Sequence, residues 1–259
     1  MNPQRQPGIQ CFERDYDAVL FDMDGTLVDS RAVVERVWSG WARRHGLDLQ
    51  KILAVSHGRR TIDTVRQFDL PGMDPADEAR QLEAIEAADD EGIVAVCGAQ
   101  QFVDQLGNDQ WAVVTSAGRS LAVKRLAAAG LPIPEILITA QDVVRGKPDP
   151  QGYLLAAERL SVSPGRCLVF EDAPAGIEAG MRAGCDVVAI KAAQPFPFDS
   201  PCRSILDFSS VALGNGPKDR WHQRACLKAI DKVVGSARES AHLQHLISLL
   251  VYCPRLYGG

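Results

Sequence analysis

Short apolar runs alternate along the chain with longer segments in which apolar residues recur at helical spacing. The runs are mostly β-branched or aliphatic, which is typical of strands that are buried on both faces of a parallel sheet. Alternation of such strands with helices predicts a doubly wound α/β fold. The predicted strands are Ala18–Phe21, Trp111–Val114, Ile136–Ile138, Cys167–Phe170 and Val187–Ile190, with a weaker one at Ser204–Phe208. The predicted helices between them include Ser120–Ala129, Gln151–Leu160 and Gly176–Ala183.

The gap between the first two predicted strands, residues 22–110, is much longer than any later gap. Apolar residues in this gap repeat at helical spacing, at Val33, Val34, Val37, Trp38 and Trp41 and then, within the acidic run 75–91, at Ala79, Leu82, Ile85 and Ala88. We therefore expect residues 30–97 to form a small helical cap that is inserted after the first strand and lies over the carboxyl edge of the sheet. Residues 16–29 and 98–213 then form the α/β core.

Residues 214–259 differ in character from the rest of the chain. The segment begins with the turn-rich sequence Gly-Asn-Gly-Pro, and from Lys218 onward seven Lys or Arg residues stand against three Asp or Glu residues. Apolar residues at helical spacing between Leu243 and Val251 predict one or two appended helices. No pattern of catalytic residues is visible there, so we expect an appendage of unknown role.

Composition limits the class of protein. With 46% hydrophobic and 24% charged residues, the 259-residue chain has the make-up of an ordinary globular protein. A net charge of −5 disfavours nucleic-acid binding, because proteins that follow phosphate backbones are usually basic. No apolar stretch approaches the ~20 residues of a membrane span, no secretory signal is visible, and the cysteines form no CxxC pair. We therefore expect a cytoplasmic protein with reduced thiols, no membrane or nucleic-acid partner, and a monomeric or weakly oligomeric state.

Polar residues follow four of the predicted strands, at the points where those strands end. In an open parallel sheet, ligands bind outside the carboxyl ends of the strands, so these residues should meet at one edge. They supply four carboxylates, two hydroxyls and one ammonium group: Asp22 and Asp24 after the first strand, Thr115 and Ser116 after the second, Lys147 after the third, and Glu171 and Asp172 after the fourth.

Such a site suits phosphoryl transfer. Carboxylates that lie close together repel one another, and Mg²⁺, which prefers oxygen ligands and accepts phosphate oxygens, resolves the repulsion. Asp22 can then attack phosphorus and form an aspartyl-phosphate. Asp24 points the same way along an extended chain, so it can donate and later accept the proton. Thr115 or Ser116 can hold phosphate oxygens, and Lys147 can neutralise the phosphoryl group as its charge shifts.

Together these residues resemble the four ordered motifs of the haloacid dehalogenase superfamily. The motifs are, in order, Asp22-x-Asp24-Gly25-Thr26, Thr115-Ser116, Lys147-Pro148 and the run from Glu171 to Gly176. The resemblance implies that Asp22 is the nucleophile and Asp24 the general acid/base. It also implies a Mg²⁺ ion held by Asp22, by the backbone carbonyl of Asp24 and by Asp172. Glu171 then lies in the ligand shell or just outside it.

Finer similarities concern the substrate. Segments similar to hexose-, polyol- and glycerol-phosphate phosphatases of this superfamily are Ser56–Thr61, Ile138–Ala140 with Gly146–Pro148, and Phe170–Gly176. The resemblance covers about residues 16–213 and leaves out the C-terminal segment. It implies a phosphomonoesterase acting on a small sugar or polyol phosphate, with His57, Arg59 and Arg60 of the cap contacting the substrate. The alternative for the two arginines is that they face solvent.

Several alternatives remain open from the sequence. Thr115 and Ser116 are both candidates for the phosphate contact, and the alternative is that one of them is only a helix N-cap. A phosphosugar mutase would use the same aspartyl-phosphate and would differ in how well the closed cap excludes water. A dehalogenase needs neither a metal nor an acid two residues after its nucleophile, so Asp24 and the pair Glu171 and Asp172 argue against it. The complete set of motifs also argues against a catalytically silent binding module.

Overall fold

The structure is a computed structural model that describes residues 9–11, 16–192, 200–214 and 226–230. Its strands are β1 Ile9–Cys11, β2 Ala18–Phe21, β3 Val28–Asp29, β4 Val94–Ala95, β5 Trp111–Val114, β6 Leu137–Ile138, β7 Cys167–Glu171, β8 Asp186–Ile190, β9 Arg203–Ile205, β10 Val211–Gly214 and β11 Cys226–Ile230. Its α-helices are α1 Arg31–His45, α2 Leu49–Ser56, α3 Thr61–Phe68, α4 Pro75–Ala88, α5 Ala99–Val103, α6 Arg119–Ala128, α7 Gln151–Arg159 and α8 Pro174–Arg182.

The core is a six-stranded parallel sheet with the strand order β6-β5-β2-β7-β8-β9. Successive side chains of β2 enter different layers: Val19 and Phe21 join one buried cluster, whereas Ala18 and Leu20 join the other. Both faces of the sheet are therefore covered, and the predicted doubly wound α/β fold is confirmed. The chain runs outward from β2 in one direction and then in the other, which opens a crevice at the carboxyl end of β2.

Aromatic packing fixes the end of β2. Phe21, its last residue, stacks on Phe170 of β7 with ring centroids 5.5 Å apart. Phe102, Trp111 and Phe208 meet the Phe21 ring edge to face at 5.9–6.1 Å. Large interlocked rings leave few alternative packings. The chain therefore leaves β2 toward the predicted site from a rigid base.

Helices α1–α4 form a helical layer between β3 and β4. These two short strands pair antiparallel, so the chain enters and leaves the layer at neighbouring points. Val33, Val37, Trp38 and Trp41 of α1 are buried, and the two indole rings meet edge to face at 5.3 Å. The tryptophans are therefore part of the core of this layer. The helical insertion that was predicted after the first strand of the core is present.

Local sequence signals set the ends of the cap helices. The side chains of Asp48 and Asp74 accept hydrogen bonds from backbone N–H groups in the first turns of α2 and α4, and Pro75 is the first residue of α4. Helix α1 ends at Gly46, whose φ of 64° is a conformation that glycine adopts without steric cost. No helix within the described ranges is both long and apolar enough to cross a bilayer.

Two details of the predicted pattern are wrong. The predicted strand Ser204–Phe208 is instead β9 followed by a 3₁₀ turn that begins at Phe208. In α4 the predicted apolar face holds for Ala79 and Leu82, but Ile85 is 43% exposed and Glu86 is buried in its place. Glu86 turns inward because it pairs with the buried Arg125 of α6.

The C-terminal part of the chain contributes backbone to a second small sheet. Strand β11 pairs antiparallel with both β1 and β10. Strand β10 crosses the predicted boundary between residues 213 and 214, and the division of the chain into core, cap and appendage stays a prediction. The predicted helices between Leu243 and Val251 lie outside the described residues.

Candidate active site

Asp22 lies directly after β2, at the crevice. It is 4% exposed, and its backbone N–H donates to the carbonyl of Phe170 at 2.9 Å. The chain then turns at Gly25, which has a φ of 86°. A Cβ atom at this position would lie 1.8 Å from Asp172 Oδ2. Glycine is thus needed here both for the turn and for the close approach of the Asp172 carboxylate.

Three buried carboxylates meet in the crevice. Asp22, Glu171 and Asp172 each offer an oxygen, and these oxygens lie within 4.8 Å of one another. Burial raises the pKa of Asp22, although Lys147 opposes that rise, and burial likewise raises the pKa of Asp172. Burial is the largest cause of both shifts, so a further positive charge would favour the ionised forms. The donor set, buried carboxylate oxygens alone, therefore fits a hard divalent cation.

Lys147 places one positive charge in this cluster. Its ammonium nitrogen lies 2.5 Å from Asp22 Oδ1 and 2.6 Å from Glu171 Oε1, and it donates to the carbonyl of Val114 at 3.0 Å. Burial lowers the pKa of Lys147, but the charges of Asp22 and Glu171 outweigh burial and raise it. The ammonium form is therefore the stable one in this buried environment.

Both oxygens of Glu171 are held by protein groups. Oε1 accepts hydrogen bonds from Lys147 and, at 2.9 Å, from the Tyr153 hydroxyl, while Oε2 accepts from the backbone N–H groups of Asp172 and Ala173. A Cβ atom at Gly176 would lie 1.6 Å from Glu171 Oε1. The role of Tyr153 could not be predicted from the sequence, because a tyrosine on an apolar helix face gives no sign of the carboxylate that it contacts.

The two hydroxyls after β5 make different contacts. Ser116 Oγ donates its hydrogen to the carbonyl of Gly58 in the cap, at 2.9 Å. Thr115 Oγ1 accepts a hydrogen bond from the N–H of Ala117, at 3.0 Å. No acceptor among the described residues uses the Thr115 hydroxyl hydrogen, so it is free to be donated to an anion. These contacts favour Thr115 over Ser116 as the phosphate contact.

The loop between α2 and α3 of the cap reaches the carboxylate cluster. His57 Nε2 lies 3.0 Å from Asp172 Oδ2. Burial lowers the pKa of His57, but the neighbouring Asp172, Glu171 and Asp22 carboxylates outweigh burial and raise it to about 9. A Cβ atom at Gly58, which has a φ of 72°, would lie 2.4 Å from the Cβ of Ala173. This loop therefore packs directly on the edge of the core.

The two predicted cap arginines do not form one cluster. Arg60 donates to both carboxylate oxygens of Asp63, at 2.6 and 3.0 Å, and to the carbonyl of Val144 in the core, at 3.2 Å. It also packs over Gly146, where a Cβ atom would lie 2.7 Å from Arg60 Nε. Arg59 is half-buried and forms no ion pair with the described residues. The contacts of Arg60 are those of a residue that holds the cap on the core.

Asp24 stands apart from the other carboxylates. Its Oδ1 accepts a hydrogen bond from Ser30 Oγ at 2.7 Å and lies 2.8 Å from Nη1 of Arg125 in α6. Nη2 of Arg125 lies 3.0 Å from Oε2 of Glu86 in α4. Burial raises the pKa of Glu86 to about 7, against the lowering effect of Arg125. Neither partner was predicted from the sequence, although each is a charged residue on an otherwise apolar helix face.

A narrow cleft lies beside Lys147 and opens to solvent. Core loops and the cap both line it. The polar and charged residues along its walls are Arg60, Thr115, Ser116, Thr139, Arg145, Lys147, Asp149 and Tyr153. The cleft therefore leads from solvent to the ammonium group that contacts Asp22.

Comparison with known families decides the relationship that the motifs imply. Residues 16–184, more than half of the chain, match the sequence model of haloacid dehalogenase-like hydrolases. The chain belongs to the haloacid dehalogenase-like hydrolase family. The matched range contains Asp22, Asp24, Thr115, Lys147 and Asp172. The family predicted from the motifs is confirmed.

Individual proteins are also similar to this chain. The chain is 48% identical over 193 residues to hexitol phosphatase A of Escherichia coli, which covers 73% of this chain and 87% of that protein. It is 36% identical over 186 residues to glycerol-1-phosphate phosphohydrolase 2 of Saccharomyces cerevisiae, and the match covers 67% of this chain and 74% of that protein. A solved hydrolase from Pseudomonas syringae superposes with a TM-score of 0.64 at 25% identity, covering 74% of this chain and 94% of that chain.

Proposed function

We propose that this protein hydrolyses the phosphate monoester of a small sugar or polyol through an aspartyl-phosphate on Asp22. The observation that carries the proposal is the environment of Asp22: a buried carboxylate at the carboxyl end of β2, held by Lys147 and close to two further carboxylates. The similarity to proteins named hexitol phosphatase and glycerol-1-phosphate phosphohydrolase supports the substrate class.

In the first step, a carboxylate oxygen of Asp22 attacks phosphorus. The new bond joins Asp22 to phosphorus, and the bond from phosphorus to the sugar oxygen breaks. Asp24 donates a proton to that leaving oxygen, because an unprotonated sugar alkoxide is a poor leaving group. In the second step, a water molecule attacks the phosphorus, and Asp24 takes a proton from that water. The bond between Asp22 and phosphorus breaks, which releases inorganic phosphate and restores the Asp22 carboxylate.

Other residues of the site stabilise charge and geometry. Lys147 touches Asp22 and is positioned to offset negative charge on the phosphoryl oxygens. Thr115 offers its hydroxyl hydrogen to the phosphate, since its oxygen already accepts from Ala117 N–H. Glu171 accepts from both Lys147 and Tyr153, and these contacts favour a role in orienting Lys147.

The cation that we propose for the carboxylate cluster is Mg²⁺. Asp22 and Asp172 would supply side-chain oxygens for it, and the backbone carbonyl of Asp24 would be the third protein ligand. When bound, the cation supplies positive charge that offsets the carboxylates and the substrate phosphate. The Asp24 side chain, which contacts Ser30 and Arg125, remains separate for proton transfer.

We expect the full-length protein to release inorganic phosphate from at least one member of a panel of hexitol, hexose, pentose and glycerol phosphates. Release should require Mg²⁺ and stop when EDTA is added, because the buried carboxylates and a phosphate dianion repel one another without a cation. The measurement is colorimetric phosphate release, with Mg²⁺ restored after chelation as the control. Full activity of the chelated enzyme would contradict the magnesium proposal. Isomerisation of a sugar phosphate that needs added bisphosphate, without phosphate release, would identify a mutase instead.

The two cap arginines should differ in mutational effect. We expect Arg59→Ala to raise KM for the preferred sugar or polyol phosphate by roughly 10- to 100-fold, the effect of one lost charge-assisted hydrogen bond. An aryl phosphate, which offers no hydroxyls, should be little affected. Arg60→Ala should lower kcat/KM for both esters alike, since Arg60 contacts Asp63 and the core backbone. Unchanged kinetics of Arg59→Ala with the preferred substrate would show that this side chain does not contact the substrate.

A further inference from the structure

Arg125 is a buried cation on a helix face that is otherwise apolar. Leu121, Ala122 and Leu126 of α6 are buried around it, and Arg125 itself is 3% exposed. Burying a guanidinium group without paired charge is costly. Such a residue on a packed face therefore needs partners that compensate its charge, and the two carboxylates that Arg125 contacts belong to different layers of the protein.

The guanidinium connects the proposed acid/base to the cap. Nη1 lies 2.8 Å from Asp24 Oδ1 in the core, and Nη2 lies 3.0 Å from Glu86 Oε2 in α4. The planar guanidinium presents donors in a fixed fork, so the position of one carboxylate constrains the position of the other. Glu86 is itself buried, with 7% of its surface exposed.

The contacts leave one oxygen of Asp24 for chemistry. Ser30 and Arg125 both contact Oδ1. No described residue donates a hydrogen bond to Oδ2. Fixing one carboxylate oxygen defines the rotamer of the side chain and hence the direction of the other oxygen. A reacting group that is misplaced by about 1 Å can cost roughly 10²-fold in rate.

We propose that Arg125 is a positioning residue that fixes Asp24 for proton transfer, and that Glu86 of the cap holds Arg125 in place. This inference rests on the acid/base role of Asp24 in the proposed function. Arg125 and Glu86 both lie outside the four motifs, yet in this proposal they affect the chemical step. The competing explanation is that the Arg125–Glu86 pair only joins α6 to α4.

The neighbouring Lys124 provides a matched control for that explanation. Lys124 Nζ donates to the carbonyl of Ala87 at 3.0 Å, so it also joins α6 to α4. Lys124 is exposed, and it forms no hydrogen bond or ion pair with Asp24, whose partners are Ser30 and Arg125. Lys124→Ala therefore weakens the same helix pair without disturbing the proposed positioning.

The test compares Arg125→Lys, Glu86→Gln, Lys124→Ala and Asp24→Asn with the unmodified full-length enzyme. Single-turnover phosphorylation is measured with the preferred sugar or polyol phosphate and with an aryl phosphate, whose leaving group needs little protonation. For Arg125→Lys we expect a loss of roughly 10- to 100-fold with the sugar ester and less than about threefold with the aryl ester, because lysine lacks the fork that spans both carboxylates. The KM of Arg125→Lys should change little for either ester. Glu86→Gln should show the same selectivity more weakly, and Lys124→Ala should show none.

A double variant separates positioning from structure. In the Asp24→Asn background, Arg125→Lys should cause almost no further loss, because its effect acts through Asp24. Equal losses for both esters, losses matched by Lys124→Ala, or a full additional loss in the double variant would each overturn the inference. If circular dichroism shows that Arg125→Lys does not fold, Glu86→Gln carries the same comparison.

The controls also separate this inference from the proposed function. If Asp24→Asn shows no dependence on the leaving group, the acid/base role fails and the inference fails with it. If Asp24→Asn shows that dependence and Arg125→Lys does not, the proposed function stands and only the positioning role is wrong.

Discussion

Asp22→Asn is expected to reduce kcat by more than about 10⁴-fold, beyond the range for loss of a general acid or base. The substitution is nearly isosteric, so the side chain still fits the buried space at the end of β2. It removes the nucleophilic charge and, with it, the ability to form the aspartyl-phosphate. It breaks the ion pair with Lys147 but also removes the repulsion from Glu171 and Asp172, and Lys147 keeps its contact with Glu171. Because these effects oppose one another, we expect the free energy of unfolding to stay within about 1 kcal/mol of wild type.

Steady-state turnover and acid-quenched phosphoenzyme provide the measurements for this variant. The variant should show neither, while its circular dichroism and urea denaturation match the wild type. Asp17→Asn, near the opposite end of the same strand, is the matched control and should keep full activity, since Asp17 forms a surface ion pair with Arg166. Residual turnover above a tenth of wild type in Asp22→Asn would rule out Asp22 as the nucleophile.

Lys147→Met is expected to lower both activity and stability. Methionine fills much of the space of the lysine stem but removes the ammonium group that contacts Asp22 and Glu171. Removing one partner of a buried charge pair typically costs about 3–5 kcal/mol. We expect a loss of that size in the free energy of unfolding, and a fall in kcat/KM of roughly 10²- to 10³-fold from the lost electrostatic stabilisation.

Urea denaturation in EDTA measures the stability of Lys147→Met without a contribution from bound cations. Kinetics with Mg²⁺ and the preferred ester measure its activity. Lys191→Met changes an exposed lysine in the same way and should alter neither quantity by much. A Lys147→Met variant as stable as wild type would show that the carboxylates are compensated in another way.

Much of the fold could be predicted from local pattern. Strands β2 and β5 have the predicted bounds, and the predicted bounds of β7 and β8 are within one residue of the observed ones. These runs are buried on both faces, so nearly every residue is apolar and the signal is strong. The weakest predicted strand, Ser204–Phe208, is the one whose predicted bounds differ most from the observed ones, because an edge segment that contains Asp207 carries less of that signal.

The contacts of the charged residues could not be predicted from local sequence pattern. Lys147 and Asp22 are 125 positions apart in the chain, and Arg60 contacts the backbone of Val144 across 84 positions. Two adjacent cap arginines look equivalent in sequence, yet Arg60 pairs with Asp63 and the core while Arg59 does not. The roles of these residues stay predictions that the variants above test.

The sequence by itself determined the family, the parallel sheet and the residues at the carboxyl ends of its strands, because each follows from local apolar runs and from motifs that directly follow them. Only the tertiary structure decided which charge compensates which. Glu86 is buried in α4, and Ile85 is exposed, where α6 places Arg125 against that helix face. The energy of a buried charge depends on groups a few ångströms away that come from distant segments of the chain. Only folding brings those segments together.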